Sequence, residues 1–236
     1  ALPPHLIHAI FTDNQITTID EQAWRKFSSI RKLMLANNRL TSFTGGSNPS
    51  KNLASLELVR LANNDLQALP DDVLRAPRLA WVALAGNPRL VGFGSLGSAL
   101  ETTMAQIDFS DAVALGKGAS GSVRSASFEG TPCAVKELLE TSSDGAASDE
   151  LAVHARVAGA TPSTLIKTLA IIRKPPAVVM ERLTKNARDL AKPPTIIEVT
   201  RDRYEDGERY APAFAVTLVK GLAEALRYLH SKRVAH

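Results

Sequence analysis

An internal repeat in residues 1–90 constrains the fold more than any other feature of the sequence. Each copy has apolar residues at the same offsets and an asparagine near its end; three copies match at five positions, and the fourth loses the pattern after its asparagine. The matched sets are Leu6, Ala9, Phe11, Asn14, Ile16; Ile30, Leu33, Leu35, Asn38, Leu40; Leu56, Val59, Leu61, Asn64, Leu66; and Leu79, Val82, Leu84, Asn87. The asparagines are 24, 26 and 23 residues apart, a period at which repeated strand units stack on one another.

The pattern predicts a short strand and a turn in each copy. Alternating apolar positions give the strand one inward face, and a buried asparagine can satisfy backbone groups of the turn. These residues resemble the leucine-rich repeat family, with about four repeats in residues 1–90. The resemblance implies a solenoid whose exposed strand positions, among them Glu57, Leu58 and Arg60, line a concave face that binds a protein partner. No capping segment precedes the first copy, and the array is therefore expected to extend upstream of Ala1.

Residues 91–108 are predicted to link this array to a second domain. Gly92, Gly94 and Gly97 give the stretch a linker composition, and a short segment around Ala99–Ala105 is compatible with a helix. A link this short cannot place the two halves on opposite sides of a membrane. Both halves are therefore expected in one compartment.

Composition excludes several classes of protein. The chain has 28 Lys and Arg against 24 Asp and Glu, a net charge of +4 without a basic run, which argues against a nucleic-acid or membrane partner. No stretch approaches the ~20 apolar residues of a membrane span. The single cysteine, Cys133, rules out an internal disulfide and indicates a reducing compartment; it is expected to be a buried strand residue. We therefore expect a cytoplasmic protein.

The stretch Leu115–Val123 contains three glycines in the spacing G-x-G-x-x-G, which marks either a turn or a loop over phosphates. Three families place glycines over phosphates, and the residues that follow distinguish them. The G-x-x-x-x-G-K-[ST] loop is absent. A dinucleotide fold needs a helix directly after the glycines, whereas Ser122–Phe128 is typical of a strand, and Thr131–Leu138 indicates another strand.

This order of elements, a strand, a glycine loop, a strand, a turn and a strand, resembles the start of a protein kinase amino lobe. The sequence Cys133-Ala134-Val135-Lys136 resembles the V-A-I-K strand of that family. The resemblance implies that Lys136 contacts the α- and β-phosphates of ATP while a carboxylate on the next helix holds it. A helix is predicted over 146–158. Glu150 is the chosen carboxylate, with Asp149 as the rival.

Two other features of this half extend the resemblance. His154 shares a helix face with Glu150 and is expected to be structural. The strands predicted over 165–172 and 177–180 lead into Val178–Leu183, which resembles the kinase hinge. The resemblance implies that Met180 closes the back of an adenine pocket, that Val123 and Ala134 cover the base, and that the Glu181 carbonyl and Leu183 amide bond its edge. The nucleotide-binding set is Leu115, Gly116, Gly118, Gly121, Val123, Ala134, Lys136, Met180, Glu181 and Leu183.

The last predicted element is an amphipathic helix over 213–231, in which leucines recur at helical spacing. Its end, Tyr228–His236, resembles the kinase approach to the catalytic loop, with His236 as the first residue of H-x-D. In that family the catalytic aspartate and the Mg²⁺ ligands come later, and none of them is present. No metal ligands are therefore predicted here, and the 236-residue chain is expected to be inactive in phosphotransfer. The polar stretch 184–212 is predicted to be an extension of the hinge.

These observations lead to one expectation for fold and two for function. The expected fold class is an α/β leucine-rich-repeat solenoid followed by an α+β kinase-like amino lobe, with an antiparallel sheet, a helix C and the start of a helical carboxy lobe in residues 109–236. The first function is that of a fragment of an ATP-dependent protein kinase that uses Mg²⁺ and acts on protein hydroxyls, serine or threonine on base rates. The alternative is a pseudokinase scaffold that binds partners without catalysis. A receptor kinase with extracellular repeats is disfavoured because no membrane span is found.

Overall fold

The structure is a computed structural model, and it describes residues 5–90, 99–207 and 209–234. The strands are β1 (His8–Ile10), β2 (Lys32–Met34), β3 (Leu58–Arg60), β4 (Trp81–Ala83), β5 (Leu100–Thr102), β6 (Ile107–Asp108), β7 (Ala114–Gly118), β8 (Gly121–Phe128), β9 (Thr131–Leu138), β10 (Thr141–Ser142), β11 (Gly145–Ala146), β12 (Thr168–Ile172) and β13 (Ala177–Glu181). The α-helices are α1 (Glu21–Arg25), α2 (Pro49–Asn52), α3 (Asp71–Leu74), α4 (Ala147–Val157) and α5 (Pro212–Ser231).

The chain divides into two compact units. The first comprises Ala1–Gly92 with two later segments, Thr141–Ala146 and Ala191–Arg203, and the second comprises Phe93–Glu140, Ala147–Leu190 and Tyr204–His236. The β10–β11 hairpin therefore belongs to the first unit, although the strand before it and the helix after it belong to the second. The described part of the chain contains no helix that is both long enough and apolar enough to cross a membrane.

The first unit is built on a four-stranded parallel sheet in the order β1-β2-β3-β4. Ala9, Leu33, Val59 and Val82 occupy the same register position in successive strands. The first three of these side chains are buried in one core with Trp24, Phe27, Leu35, Leu40, Phe43 and Leu61. The repeated apolar offsets therefore place equivalent side chains next to one another in one core.

Buried asparagines satisfy the turns that follow the strands. Asn64 donates through Nδ2 to the Leu35 and Leu61 carbonyls at 3.0 Å, and its Oδ1 accepts from the Leu40 amide at 2.9 Å. Asn38 and Asn87 make corresponding bonds one copy before and one copy after. The expected local role of the asparagines is present because each side chain replaces backbone partners that the strands do not supply.

The predicted fold class, however, is wrong. The structure is a mixed α/β fold, with one small parallel sheet and one curled mixed sheet, and not a solenoid of leucine-rich repeats followed by a purely antiparallel lobe. The connections of the first sheet are not all equivalent: α1 and a 3₁₀ turn follow β1, whereas a single four-residue helix follows each of β2 and β3. A solenoid needs near-equivalent units that stack with a constant rotation. Matching offsets specify the strand and the turn, but they do not specify the connections.

The second unit contains a seven-stranded sheet in the order β5-β12-β13-β9-β8-β6, with β7 also pairing with β8. Strand β8 has eight residues: its first half pairs with β7 and its end pairs with β6, while β9 runs along its other side. Two strands therefore share one edge of β8. The β5–β12 pair is parallel and the other pairs are antiparallel.

The segment around Ala99–Ala105, which is compatible with a helix in the sequence, contains a strand followed by a 3₁₀ turn at Met104–Gln106. Leu100–Thr102 forms β5 and pairs with Ala170–Ile172 of β12, where Ala170 and Ile172 are almost fully buried. Edge pairing with a buried strand outweighs the weak helical preference of so short a segment, because isolated short helices are marginal in water. Residues 91–98 of the predicted linker lie outside the described residues.

Candidate nucleotide-binding site

The three glycines lie in the hairpin formed by β7 and β8, and they do not have the same surroundings. Gly118 and Gly121 face each other across the turn. A Cβ added at Gly116 or Gly118 would meet nothing within 4 Å, whereas a Cβ at Gly121 would lie 2.0 Å from the Glu137 carbonyl oxygen of β9. Gly121 is therefore required by the fold, and Gly116 and Gly118 leave open space above the hairpin.

Strand register places the other predicted nucleotide residues on one face of the sheet. Val123 is opposite Lys136, and Ala134 is opposite Met180. Residues directly opposite in an antiparallel pair share a face, as do residues two apart in one strand. Val123, Ala134, Lys136 and Met180 consequently form one patch.

Helix α4 covers this face through its own apolar side. Leu151 and Ala155 are buried against Val178, Leu138 and partly buried Met180. The helix begins and ends within one residue of the predicted 146–158. With this packing, Glu150 of the first turns reaches Lys136 of β9.

The predicted lysine and glutamate are in contact. Lys136 Nζ donates to Glu150 Oε1 at 2.5 Å, and the two side chains are 24% and 26% exposed. Glu150, not Asp149, is therefore the carboxylate that holds Lys136. Partial exposure leaves the ammonium with hydrogens that can reach a ligand, because Lys has three donors.

The predicted hinge lies at the end of β13. Glu181 pairs with Cys133 of β9, and its backbone amide donates to the Lys167 carbonyl at 3.0 Å. The Glu181 side chain also accepts from the Lys167 amide at 2.7 Å. Leu183 is exposed by 58%, as is Leu115 of β7 by 46%. The structure thus fixes Glu181 and leaves Leu115 and Leu183 exposed.

Two ionisable groups near the patch have shifted pKa values. Burial raises the pKa of the Cys133 thiol. Cys133 is fully buried in β9, in the core on the face of the sheet away from Lys136. The prediction that Cys133 is a buried strand residue is therefore confirmed. Burial lowers the pKa of His154, the nearby Glu150 carboxylate opposes this shift, and Lys136 adds to it. His154 is therefore neutral at neutral pH.

One polar partner in this region was missed from the sequence. Thr168 Oγ1 of β12 lies 2.8 Å from His154 Nδ1, and Thr168 is buried. A threonine in a β-branched strand is unremarkable in sequence, and the only available signal was the position of His154 one turn after Glu150. The expectation that His154 is structural agrees with its contact to a neighbouring strand.

The predicted protein-binding face belongs to the first unit and is partly covered by that unit's later segments. Arg60 Nη1 donates to Ser143 Oγ at 2.6 Å, and Arg60 Nε lies 2.9 Å from Asp144 Oδ1. Leu58 is 5% exposed. Arg60 therefore contacts this chain's own hairpin, and Leu58 is buried.

Glu57, the third predicted position of that face, forms a bidentate ion pair. Arg31 Nε and Nη2 donate to its two carboxylate oxygens at 2.8 and 2.9 Å. Arg31 also donates to the Ile197 carbonyl of the segment Ala191–Arg203. Glu57 is thus held within the first unit.

The last helix has the predicted bounds to within one residue. Helix α5 spans Pro212–Ser231, and His236 lies outside the described residues. Among the described residues no group of three or more His, Cys, Asp or Glu side chains could hold a metal ion.

Comparison with known proteins adds no family to these observations. No protein-family model matches the chain, and no curated protein is significantly similar to it.

Proposed function

We propose that the second unit binds ATP and that the chain is part of a protein kinase acting on serine or threonine. The observation that carries this proposal is the 2.5 Å contact between Lys136 and Glu150 on the sheet face that also holds Val123, Ala134 and Met180. An ammonium fixed in this way is preorganised for an anion, because the cost of ordering a long side chain is met before the ligand binds.

Each side chain of the patch has a distinct role in this proposal. The backbone amides of the β7–β8 hairpin approach the phosphates, and the open space at Gly116 and Gly118 permits that approach. Lys136 binds the α- and β-phosphates as a point charge. Val123, Ala134 and Met180 supply apolar surface for the adenine, and the Glu181 carbonyl with the Leu183 amide bonds its edge.

Phosphoryl transfer needs a group that orients the acceptor hydroxyl and cations that neutralise the developing charge. The 236-residue sequence contains neither the catalytic aspartate nor the metal ligands of the kinase pattern. We therefore predict that this chain binds nucleotide without measurable ATP turnover, and turnover would contradict that prediction. A complete chain without those residues would be a pseudokinase scaffold.

Replacing Lys136 tests the nucleotide site. Lys136→Met should reduce ATP affinity by about tenfold or more, since hydrogen bonds to charged groups contribute roughly 1.5–3 kcal/mol. Lys220→Met makes the same chemical change at an exposed position of α5 and should leave the affinity unchanged. Calorimetric titration with ATP measures both, and equal affinities for wild type and Lys136→Met would refute the placement of the site.

We further propose a cytoplasmic location, supported by a single buried thiol at Cys133, and a protein partner on the parallel sheet of the first unit. The exposed residues there are at the two edges, with Ile10 59% and Trp81 49% exposed. Cell fractionation tests the location. A change in Trp81 fluorescence when a protein partner binds would support this surface, and unchanged fluorescence on binding would count against it.

A further inference from the structure

A series of neighbouring polar side chains joins three elements of the second unit, and most of them are only partly buried. His154 Nε2 lies 4.0 Å from Glu150 Oε1, the same oxygen that accepts from Lys136 Nζ. His154 Nδ1 lies 2.8 Å from Thr168 Oγ1, and Thr168 is 4% exposed. The series therefore runs from β12 through α4 to β9 and ends at the lysine of the proposed ATP site.

The chemistry of a neutral imidazole determines how the series is hydrogen-bonded. One ring nitrogen is then a donor and the other an acceptor. If the Thr168 hydroxyl donates to Nδ1, the Nε2 hydrogen faces the Glu150 carboxylate, and no two lone pairs oppose each other. Protonation makes both nitrogens donors and adds a positive charge beside a carboxylate that Lys136 already uses.

Glu150 and Lys136 are the charged groups that act on His154. Helix α4 packs against β12 and β13; β12 has no ionisable residue, and β13 has only Glu181, whose carboxylate accepts from the Lys167 amide. Glu137 of β9 is paired with Arg124. A charge on His154 would therefore be balanced mainly by Glu150.

We propose that His154 is a positioning residue for Lys136: its neutral form supports the Lys136–Glu150 pair, and its protonation draws the Glu150 carboxylate away from Lys136 and weakens nucleotide binding. The effect on nucleotide rests on the proposed ATP site, whereas the link between His154 and Glu150 does not. The direction in pH follows from burial, which holds the pKa of His154 below its usual value of 6.5. The pair is intact at neutral pH and is lost as the pH falls through that lowered pKa.

The link is tested by titration of the protein alone. NMR signals of the His154 ring and of the Glu150 carboxylate carbon are followed in wild type, in His154→Gln and in the control His230→Gln, which changes an exposed histidine of α5. In wild type and in the control, the Glu150 signal should shift with the midpoint of the His154 titration. In His154→Gln that shift should vanish. A Glu150 signal indifferent to the titration of His154 would overturn the proposal.

The functional consequence is measured as the ratio of ATP affinities of wild type and His154→Gln at each pH. The ratio cancels protonation of the phosphates, which affects both proteins alike. Acidification through the His154 pKa should lower the ratio about tenfold, the effect of losing one charge-assisted contact. A ratio independent of pH would overturn the proposal. Failure of both proteins to bind ATP at any pH would refute the proposed function instead, and the NMR titration would still decide the link between His154 and Glu150.

Discussion

Gly121→Ala should destabilise the second unit, whereas Gly118→Ala should leave its stability unchanged and weaken ATP binding. The added Cβ at Gly121 would lie 2.0 Å from the Glu137 carbonyl oxygen, and this oxygen belongs to the backbone of the strand paired with β8. Relief of the clash must move one of two central strands. We expect Gly121→Ala to lower the free energy of unfolding of the second unit by about 3 kcal/mol, the upper end of the range for overpacked cores.

Gly118→Ala is the matched control for stability and the test for function. Its Cβ would meet nothing within 4 Å, and the free energy of unfolding should change by less than about 0.5 kcal/mol, as at other open surface positions. The methyl group would instead occupy space through which phosphates approach the hairpin backbone. Gly118→Ala should therefore weaken ATP binding while the fold is retained.

The aromatic residues of the chain make the assay specific to one unit. Both tryptophans, Trp24 and Trp81, belong to the first unit, so their fluorescence in a urea titration reports that unit. Amide hydrogen exchange in β8 and β9 reports the second. Gly121→Ala should raise exchange in those strands and leave the tryptophan midpoint in place. Exchange in β8 and β9 as slow as in wild type would refute the close approach on which the argument depends.

Two further predictions concern the first unit. Hydrogen bonds from Arg31 hold the pKa of Glu57 below its ordinary value of 4.5. The stability that Glu57 contributes is therefore complete above pH 4.5 and is lost as the pH falls through the lower folded-state pKa. Unfolding followed by tryptophan fluorescence should show a smaller loss of stability at acid pH in Glu57→Gln than in wild type. Asn64→Ala removes a buried amide with bonds to several backbone groups and should cost about 2–3 kcal/mol in urea unfolding, whereas Asn14→Ala at an exposed position should cost less than about 1 kcal/mol. Equal losses for the two asparagine variants would contradict the importance of burial.

Contacts close in sequence or repeated by a pattern could be predicted. Glu150 follows Lys136 by fourteen residues, and a strand followed by an amphipathic helix leaves few ways to place a carboxylate at the lysine. The apolar spacing likewise gave the bounds of α4 and α5 to within one residue, because packing of one helix face depends on local periodicity. Whether these residues bind ATP stays a prediction.

Contacts between distant segments could not be predicted. The pairing of β5 with β12 joins residues about seventy positions apart, and nothing in the composition of Leu100–Thr102 distinguishes an edge strand from a short helix. The contact between His154 and Thr168 depends in the same way on which strand lies under α4. Both are consequences of the order of strands in the sheet, which hydrophobic periodicity does not encode.

The fold class was wrong because the offsets in the sequence do not specify the connections between strands, and a later segment of the chain changes the meaning of the predicted protein-binding face. The offsets in residues 1–90 are those of strands and asparagine turns, and both are present. The inner face of β3, however, is not open, because Asp144 of the β10–β11 hairpin reaches Arg60 and Asn63 donates to the Ser142 carbonyl. The sequence predicts that Arg60 lines a face for a protein partner, but Arg60 instead pairs with Asp144 in an acidic turn eighty-four residues later. Exposure predicted from alternation within one strand holds only where no later segment of the chain covers that face, and alternation carries no information about such a segment.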